Sequence, residues 1–116
     1  MADKVFLALH GAMGENGQLQ ATLDSFGIPY TGSGYLGSAL AMNKDLAKRL
    51  FRDAGIPTPD WICLRPDGKE DLQALPLPCV VKPCSCGSSV GISMADTEEE
   101  LKTALTEAAR WEDTVL

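Results

Sequence analysis

The residues of this chain whose types and spacing could do chemistry begin with Lys82. An apolar run, Cys79–Val81, leads to this lysine and stops at Pro83, and a loop of small residues (84–91) then precedes a second extended stretch at 92–94. A lysine offers a point charge to an anion, and a loop without bulky side chains lets its backbone N–H groups approach phosphate oxygens. The loop is not a Walker A motif, because no Gly-Lys-Ser/Thr opens a helix behind it. The pattern indicates a phosphate lid, and a polar hairpin is the alternative that the loop alone leaves open.

A second group of polar residues follows the apolar run at 5–9, which has the pattern of a strand buried on both faces in a parallel sheet. His10 comes directly after this run, and Glu15 lies in a predicted loop at 12–17. A residue just past the carboxyl end of a parallel strand faces the crevice in which α/β folds bind ligands. The alternative for His10 is a structural histidine. The alternative for Glu15 is a carboxylate that stabilises the N-terminus of the next helix.

A third candidate, Lys44, follows Asn43, which is a predicted helix N-cap. A cation in the first turn of a helix interacts unfavourably with the helix dipole. This placement favours a functional reason for Lys44 over a merely solvated position.

These candidates must be positioned by alternating helices and short strands, whose boundaries are marked by turn residues and by changes in apolar periodicity. In the first half the predicted elements are a helix that has Leu19, Leu23 and Phe26 on one face and ends at Gly27, a short buried helix at 35–42, and an amphipathic helix from Lys44 that ends at Gly55. In the second half, a strand at 59–64, a turn at 66–68 and one or two helical turns within 69–75 precede the strand–loop–strand around the lid. A helix then begins at a capping box of Thr97 and Glu100, and its apolar stripe reaches Trp111. A strand at 114–116 follows this helix. The order predicts part of an α/β unit at 1–42 and an α+β domain with a small antiparallel sheet at 43–116.

Composition excludes several classes of protein. The chain has 116 residues and a net charge of −6, so it lacks the excess of Lys and Arg that nucleic-acid binding demands. No apolar run approaches the roughly 18 residues of a membrane span. The first residues lack the apolar core of a signal peptide, and we therefore predict a cytoplasmic protein.

The four cysteines are Cys63, Cys79, Cys84 and Cys86. The first two lie in apolar runs, where a thiol behaves as a small hydrophobic group. A zinc site that combines the last three with His10 fits known ligand spacings poorly. Reduced thiols are the simpler interpretation, and no metal ligand is assigned in this chain.

Four ordered motifs resemble those of the D-alanine–D-alanine ligases, which are ATP-grasp enzymes of bacterial cell-wall synthesis. The motifs are His10-Gly11 with 14–17 (GENG), residues 27–34 (GIPYTGSG), residues 38–44 (SALAMNK), and Val81-Lys82-Pro83 with 87–91 (GSSVG). The resemblance runs from residue 5 to residue 116. It implies a partial Rossmann-like pre-ATP-grasp unit at 1–42 and the first ATP-grasp subdomain, incomplete at its C-terminus, at 43–116.

The resemblance also implies roles for single residues. Lys44 and Lys82 correspond to the lysines that hold ATP phosphates. His10 and Glu15 lie on the loop that faces the D-alanine site, and Ser88 corresponds to a serine that positions substrate, so these three are the catalytic candidates. The phosphate lid corresponds to Gly87, Ser88, Ser89, Val90 and Gly91. Asn16 and Asn43 stand where many members carry Asp, and both replacements preserve turn and capping chemistry.

The implied activity is the ATP-dependent ligation of two D-alanines into D-alanyl-D-alanine for peptidoglycan synthesis, through an acylphosphate. We expect the Mg²⁺ ligands, the adenine-binding strand and an N-terminal Gly-rich turn to lie outside this chain, which alone should be inactive. A full-length member is expected to form a homodimer, and this chain to self-associate through unpaired strand edges at 5–9 and 114–116. A ligase with another second substrate, such as a D-alanine–D-lactate ligase, and a non-catalytic chain remain alternatives.

Overall fold

A computed structural model describes residues 3–67 and 71–116 and divides the chain into two compact units, Met1–Leu50 and Phe51–Leu116. The helices are α1 (Ala12–Glu15), α2 (Gln18–Ser25), α3 (Tyr35–Met42), α4 (Lys44–Asp53) and α5 (Glu98–Ala108), and the strands are β1 (Cys79–Val81) and β2 (Ser93–Ala95). The division falls within α4, whereas the sequence predicted a boundary just before this helix. None of the helices in the described ranges is long and apolar enough to cross a membrane.

The helices α2 and α4 end in the same way. Gly27 and Gly55 follow the two helices at φ of 65° and 71°. In each case the glycine N–H bonds to a carbonyl three residues earlier, and the next residue, Ile28 or Ile56, donates to a carbonyl five residues earlier. This is the Schellman motif, in which a left-handed residue satisfies the last carbonyls of a helix. The two Gly-Ile-Pro sequences therefore end these helices as predicted.

Asn43 is the N-cap of α4, as expected from its position. Its Oδ1 accepts a hydrogen bond from the Leu46 N–H at 3.0 Å. An N-cap of this kind stabilises a helix by about 1 kcal/mol. The cap fixes the start of the helix and therefore places Lys44 at its first position.

Residues 5–9 form less of a strand than the sequence predicted. Within the described part of the chain only Val5 pairs, in a parallel bridge with Tyr30. Phe6 is 79% exposed and Leu9 is 56% exposed. The prediction of a strand buried on both faces is therefore wrong here, because a buried parallel strand needs a neighbour along its length.

Three further expectations for the first unit are wrong. The predicted loop at 12–17 contains a helical turn, α1, whose carbonyls at Gly11 and Ala12 accept intrahelical hydrogen bonds. The helix α3 has the predicted bounds but is not buried, since only its Ser38 is shielded from solvent. Phe26 is 76% exposed and does not share the partly buried side of α2.

The second unit is built around α5 and the antiparallel pair β1 and β2. The two strands pair with Cys79 opposite Ala95 and Val81 opposite Ser93. The buried core is formed by residues of both strands, of α5 and of the C-terminal segment (residues 114–116): Val81, Ala95, Leu101, Ala104, Leu105, Ala108 and Val115.

The start of α5 confirms the predicted capping box. Thr97 Oγ1 accepts from the Glu100 N–H at 3.3 Å, and the Glu100 carboxylate accepts from the Thr97 N–H at 3.2 Å. The predicted apolar stripe is buried along the helix. Trp111, however, lies beyond the last residue of α5 and is 56% exposed.

The C-terminal segment has partners that the sequence did not predict. Val115 pairs antiparallel with both Leu64 and Pro83 and is 1% exposed. The expected unpaired edge at 114–116 is therefore wrong, because contacts distant in sequence cover it. Of the strand predicted at 59–64, only Leu64 takes part in a β-bridge within the described part of the chain.

Two predictions fall partly outside the described residues. The turn predicted at 66–68 includes residue 68, and the helical turns predicted within 69–75 include 69 and 70. In the described remainder, Leu72–Ala74 forms a single 3₁₀ turn, whose N-cap Asp71 accepts from the Gln73 N–H at 3.2 Å.

Candidate functional site

The start of the candidate lid is held by the C-terminal segment. The Lys82 N–H donates to the Leu116 carbonyl at 2.9 Å, and the Leu116 N–H donates to the Lys82 carbonyl at 2.8 Å. Two residues further on, the Cys84 N–H donates to the Thr114 carbonyl at 3.0 Å. These bonds fix the Lys82 backbone, and the residue is half-buried. None of the ion pairs among the described residues uses its ammonium group.

The tip of the lid is a tight turn at 87–90. Ser88 and Ser89 both have positive φ, at 54° and 60°, and the Val90 N–H donates to the Gly87 carbonyl at 3.1 Å. Two left-handed residues closed by such a bond make a type I′ turn, which usually contains Asn or Gly. Serine at these positions costs about 1–2 kcal/mol each relative to a relaxed backbone.

The lid presents backbone donors to solvent. Gly87, Ser88 and Ser89 are exposed. Within the described part of the chain, their N–H groups donate to no acceptor. Strained backbone tends to occur at ligand-binding sites, where the surrounding structure compensates for its cost. The turn can therefore offer several adjacent N–H groups to one anion.

We expect Ser89→Gly to stabilise the second unit, because glycine adopts φ of 60° without steric cost. The free energy of unfolding should rise by about 1 kcal/mol. Urea unfolding followed by tryptophan fluorescence measures this change, since Trp61 and Trp111 both belong to the second unit. The control is Ser85→Gly, whose φ is not positive and which should lower stability. Equal effects of the two substitutions would contradict the strained turn.

The end of the lid packs where only glycine fits. Gly91 has φ of 67°, and a Cβ at this position would lie 2.8 Å from Pro83 Cγ and 2.8 Å from Trp111 Cδ1. At the other end of the lid, the Ser85 N–H donates to the Glu112 carboxylate at 2.6 Å. Sequence reasoning missed the roles of Trp111 and Glu112. Their contacts with the lid join residues that are far apart along the chain.

In the first unit, His10 lies directly before α1 and Glu15 is the last residue of that helical turn. His10 is exposed. The Glu15 carboxylate accepts a hydrogen bond from the Gly11 N–H at 2.8 Å, so it closes the loop on itself. Gly11 is the N-cap of α1, so the Glu15 carboxylate lies at a helix N-terminus, as the structural alternative expected, although the helix is α1 rather than α2. Glu15 thus holds the backbone beside His10.

Gln20, which sequence reasoning missed, binds the backbone of the segment that carries His10 and Glu15. It is 5% exposed, and its Nε2 donates to the Gly14 carbonyl at 2.7 Å. Its Oε1 is buried without a hydrogen-bond partner in the described structure. A Cβ on Gly14 would lie 2.6 Å from Leu9 Cβ, and one on Gly17 would overlap the Tyr35 carbonyl oxygen. The loop is therefore closely packed, and its glycines are the feature of the sequence that could have predicted this packing.

The candidate residues are thus found in both units. His10, Glu15 and Lys44 belong to the first, and Lys44 is half-buried at the start of α4. Lys82 and the lid, 87–91, belong to the second, where one strand–loop–strand carries them all.

The cysteines are free thiols. Burial raises the pKa of the Cys79 thiol, which disfavours the thiolate that metal binding and nucleophilic attack require. Across residues 3–67 and 71–116, no three His, Cys, Asp or Glu side chains are grouped so that they could hold a metal ion.

Comparison with known proteins places the chain in a family. A sequence model described as "D-ala D-ala ligase N-terminus" matches residues 1–33, and one described as "D-ala D-ala ligase C-terminus" matches residues 50–116. A D-alanine–D-alanine ligase of Chromohalobacter salexigens is 47% identical over 116 residues, which cover 98% of this chain and 37% of that protein. The chain therefore spans little more than a third of the length of this curated relative.

Solved structures agree in fold. The D-alanine–D-alanine ligase of Bacillus anthracis has a TM-score of 0.87 at 44% identity, covering 97% of this chain and 38% of that one. The same enzyme complexed with ATP has a TM-score of 0.84 at 40% identity over the same shares. The combination of helices with a small antiparallel sheet matches these ATP-grasp structures, which confirms the expected fold class. The chain belongs to the D-alanine–D-alanine ligase family.

Proposed function

We propose that this chain supplies the phosphate lid and the substrate loop of an enzyme that joins two D-alanines with the energy of ATP. The observation that carries the proposal is the turn at 87–90, whose exposed N–H groups follow a lysine fixed at the end of β1. The identity of 47% to a D-alanine–D-alanine ligase and the likeness to an ATP-bound relative support it.

In the proposed reaction, the carboxylate of one D-alanine attacks the γ-phosphoryl group of ATP and ADP leaves. The amine of a second D-alanine then displaces phosphate from the resulting acylphosphate and loses a proton. Phosphoryl transfer needs positioning and charge neutralisation more than covalent help from the protein. Lys82, Lys44 and the N–H groups of 87–89 supply part of this charge neutralisation. The closed lid also excludes water that would hydrolyse the acylphosphate.

The first unit is proposed to contribute residues that bind D-alanine. The segment that carries His10 and Glu15 is held by Gln20 and is proposed to bind a D-alanine. Ser88, on the lid, is proposed to position substrate. The described residues form no group suited to Mg²⁺, so we assign no metal ligand and no metal-dependent step to them. A dimeric full-length form is proposed from the family resemblance alone, and the cytoplasmic location stays a prediction.

The test is a chimera in which this chain replaces the matching segment of the Chromohalobacter salexigens relative. We expect the purified chimera to form D-alanyl-D-alanine with one ADP released per dipeptide, and the 116-residue chain alone to form none. Product is identified by mass spectrometry, with D-lactate as a competing second substrate. A stable, folded chimera that releases no ADP would contradict the proposal, and preferential formation of the D-lactate ester would favour the other ligase.

A further inference from the structure

The structure assigns a positioning role to Glu112, which together with Trp111 anchors both ends of the loop 84–91 that includes the phosphate lid; below, the lid means this whole loop. Neither residue belongs to the ATP-binding or substrate-binding groups described above. The inference rests on the proposed function in one respect only, which is that the anchored loop is the one that closes over ATP phosphates.

The contact at the start of the lid is a short hydrogen bond to a charged group. The Ser85 N–H donates to Glu112 Oε2 at 2.6 Å, across 27 positions of sequence. Hydrogen bonds to an ionised acceptor are shorter and stronger than neutral ones. The carboxylate therefore fixes the backbone of the lid directly after its last bond to the C-terminal segment, which is made by Cys84.

The contact at the end of the lid is made by the neighbouring residue. A Cβ added to Gly91 would lie 2.8 Å from Trp111 Cδ1 and 2.8 Å from Pro83 Cγ. The backbone of Gly91 is therefore packed closely against the indole ring and the proline ring. Pro83 itself is buried and paired with Val115, so the proline part of this contact is held in the core.

The two contacts hold the ends of the lid, and its tip stays exposed to solvent. Trp111 and Glu112 are adjacent, and their turn follows α5, where Trp111 and Glu112 N–H groups donate to the Ala108 carbonyl at 3.0 and 3.3 Å. Ala108 is fully buried in the core of the unit. The anchor is therefore tied to the core, while Gly87, Ser88 and Ser89 remain exposed above it.

An anchored lid has a chemical consequence. A loop whose two ends are fixed presents its N–H groups in one arrangement and pays less entropy when it closes on phosphates. If the start of the lid is released, closure becomes weaker and water gains access to the acylphosphate. Loss of the anchor should therefore raise the KM for ATP and uncouple ADP release from dipeptide formation.

The first arm of the test uses the 116-residue chain and needs no activity. In Glu112→Ala, we expect hydrogen exchange at the Ser85 amide to accelerate about tenfold, as for the loss of roughly 1.4 kcal/mol. The Lys82 and Cys84 amides, which bond to the C-terminal segment, should be unchanged. Asp113→Ala is the matched control, because it removes the adjacent exposed carboxylate. An unchanged Ser85 amide in Glu112→Ala would overturn the anchor, whatever the protein catalyses.

The second arm uses the chimera. We expect Glu112→Ala to raise the KM for ATP about tenfold and to release more than one ADP per dipeptide, while Asp113→Ala behaves as the parent. Glu112→Gln keeps an acceptor in the same place and should restore part of the coupling. Faster exchange at Ser85 together with unchanged KM and unchanged coupling would overturn the positioning role. A parent chimera without ligase activity would instead count against the proposed function, and the exchange arm would still decide the anchor.

Discussion

Replacing Lys82 with alanine is expected to weaken ATP binding to the chimera by about ten- to a hundredfold. The loss corresponds to a charge-assisted contact of about 1.5–3 kcal/mol, at 1.4 kcal/mol per decade of affinity. Folding should change little, since the described ion pairs do not use the Lys82 ammonium and its backbone bonds to Leu116 are kept. Calorimetric titration with a nonhydrolysable ATP analogue measures the affinity, and thermal unfolding measures the stability.

Two further variants show whether the position or only the charge of Lys82 matters. Lys102→Ala removes an exposed cation from α5 in the same unit and should bind the analogue like the parent. Lys82→Arg keeps the charge but replaces a compact ammonium with a wide planar group, so it should bind better than Lys82→Ala and still catalyse poorly. If Lys82→Ala bound normally but unfolded much earlier, Lys82 would be a structural residue and our account of the lid would be wrong.

Replacing Gly17 with alanine is expected to destabilise the first unit by about 2–5 kcal/mol. A left-handed conformation costs about 1–2 kcal/mol for a non-glycine residue, and forcing atoms into a filled space costs about 1–3 kcal/mol more. Gly17 combines both, since it has φ of 88° and its Cβ would meet the backbone oxygen of Tyr35. Hydrogen exchange of the amides in α2 and α3 measures the change in opening free energy in this unit.

Gly27→Ala is the matched control for this substitution. Gly27 also has positive φ, at 65°, but no heavy atom lies within 4 Å of its Cβ position. It should therefore show only the conformational cost, about 1–2 kcal/mol. Similar losses for the two variants would mean that the close packing of the His10–Glu15 loop against Tyr35 does not stabilise the unit.

The features that the sequence predicted correctly depend on residues close together in the chain. The N-cap at Asn43, the capping box at Thr97 and the ends at Gly27 and Gly55 each involve bonds that span at most five residues. The strand–loop–strand around the lid was likewise visible, because a lysine and a proline divide an apolar run from a run of small residues. Local chemistry of this kind can be inferred without knowledge of the tertiary structure.

The features that the sequence did not predict depend on distant partners. Val115 is buried because Leu64 and Pro83 lie on either side of it, and nothing in the short run at 114–116 indicates these neighbours. The anchor at Glu112 is similar, since a carboxylate after a helix has the pattern of an ordinary exposed residue. The sequence around Gln20 likewise gives no sign of burial, and only the packed structure shows that its amide group is buried.

The central claim is that the lid binds phosphate through Lys82 and the N–H groups of its tip. A crystal structure of the chimera with a nonhydrolysable ATP analogue tests this claim most directly. Our account predicts the Lys82 ammonium and the Ser88 and Ser89 N–H groups at hydrogen-bond distance, about 2.7–3.2 Å, from phosphate oxygens. Phosphates bound elsewhere in a well-ordered complex, with the tip of the lid in contact only with solvent, would contradict it.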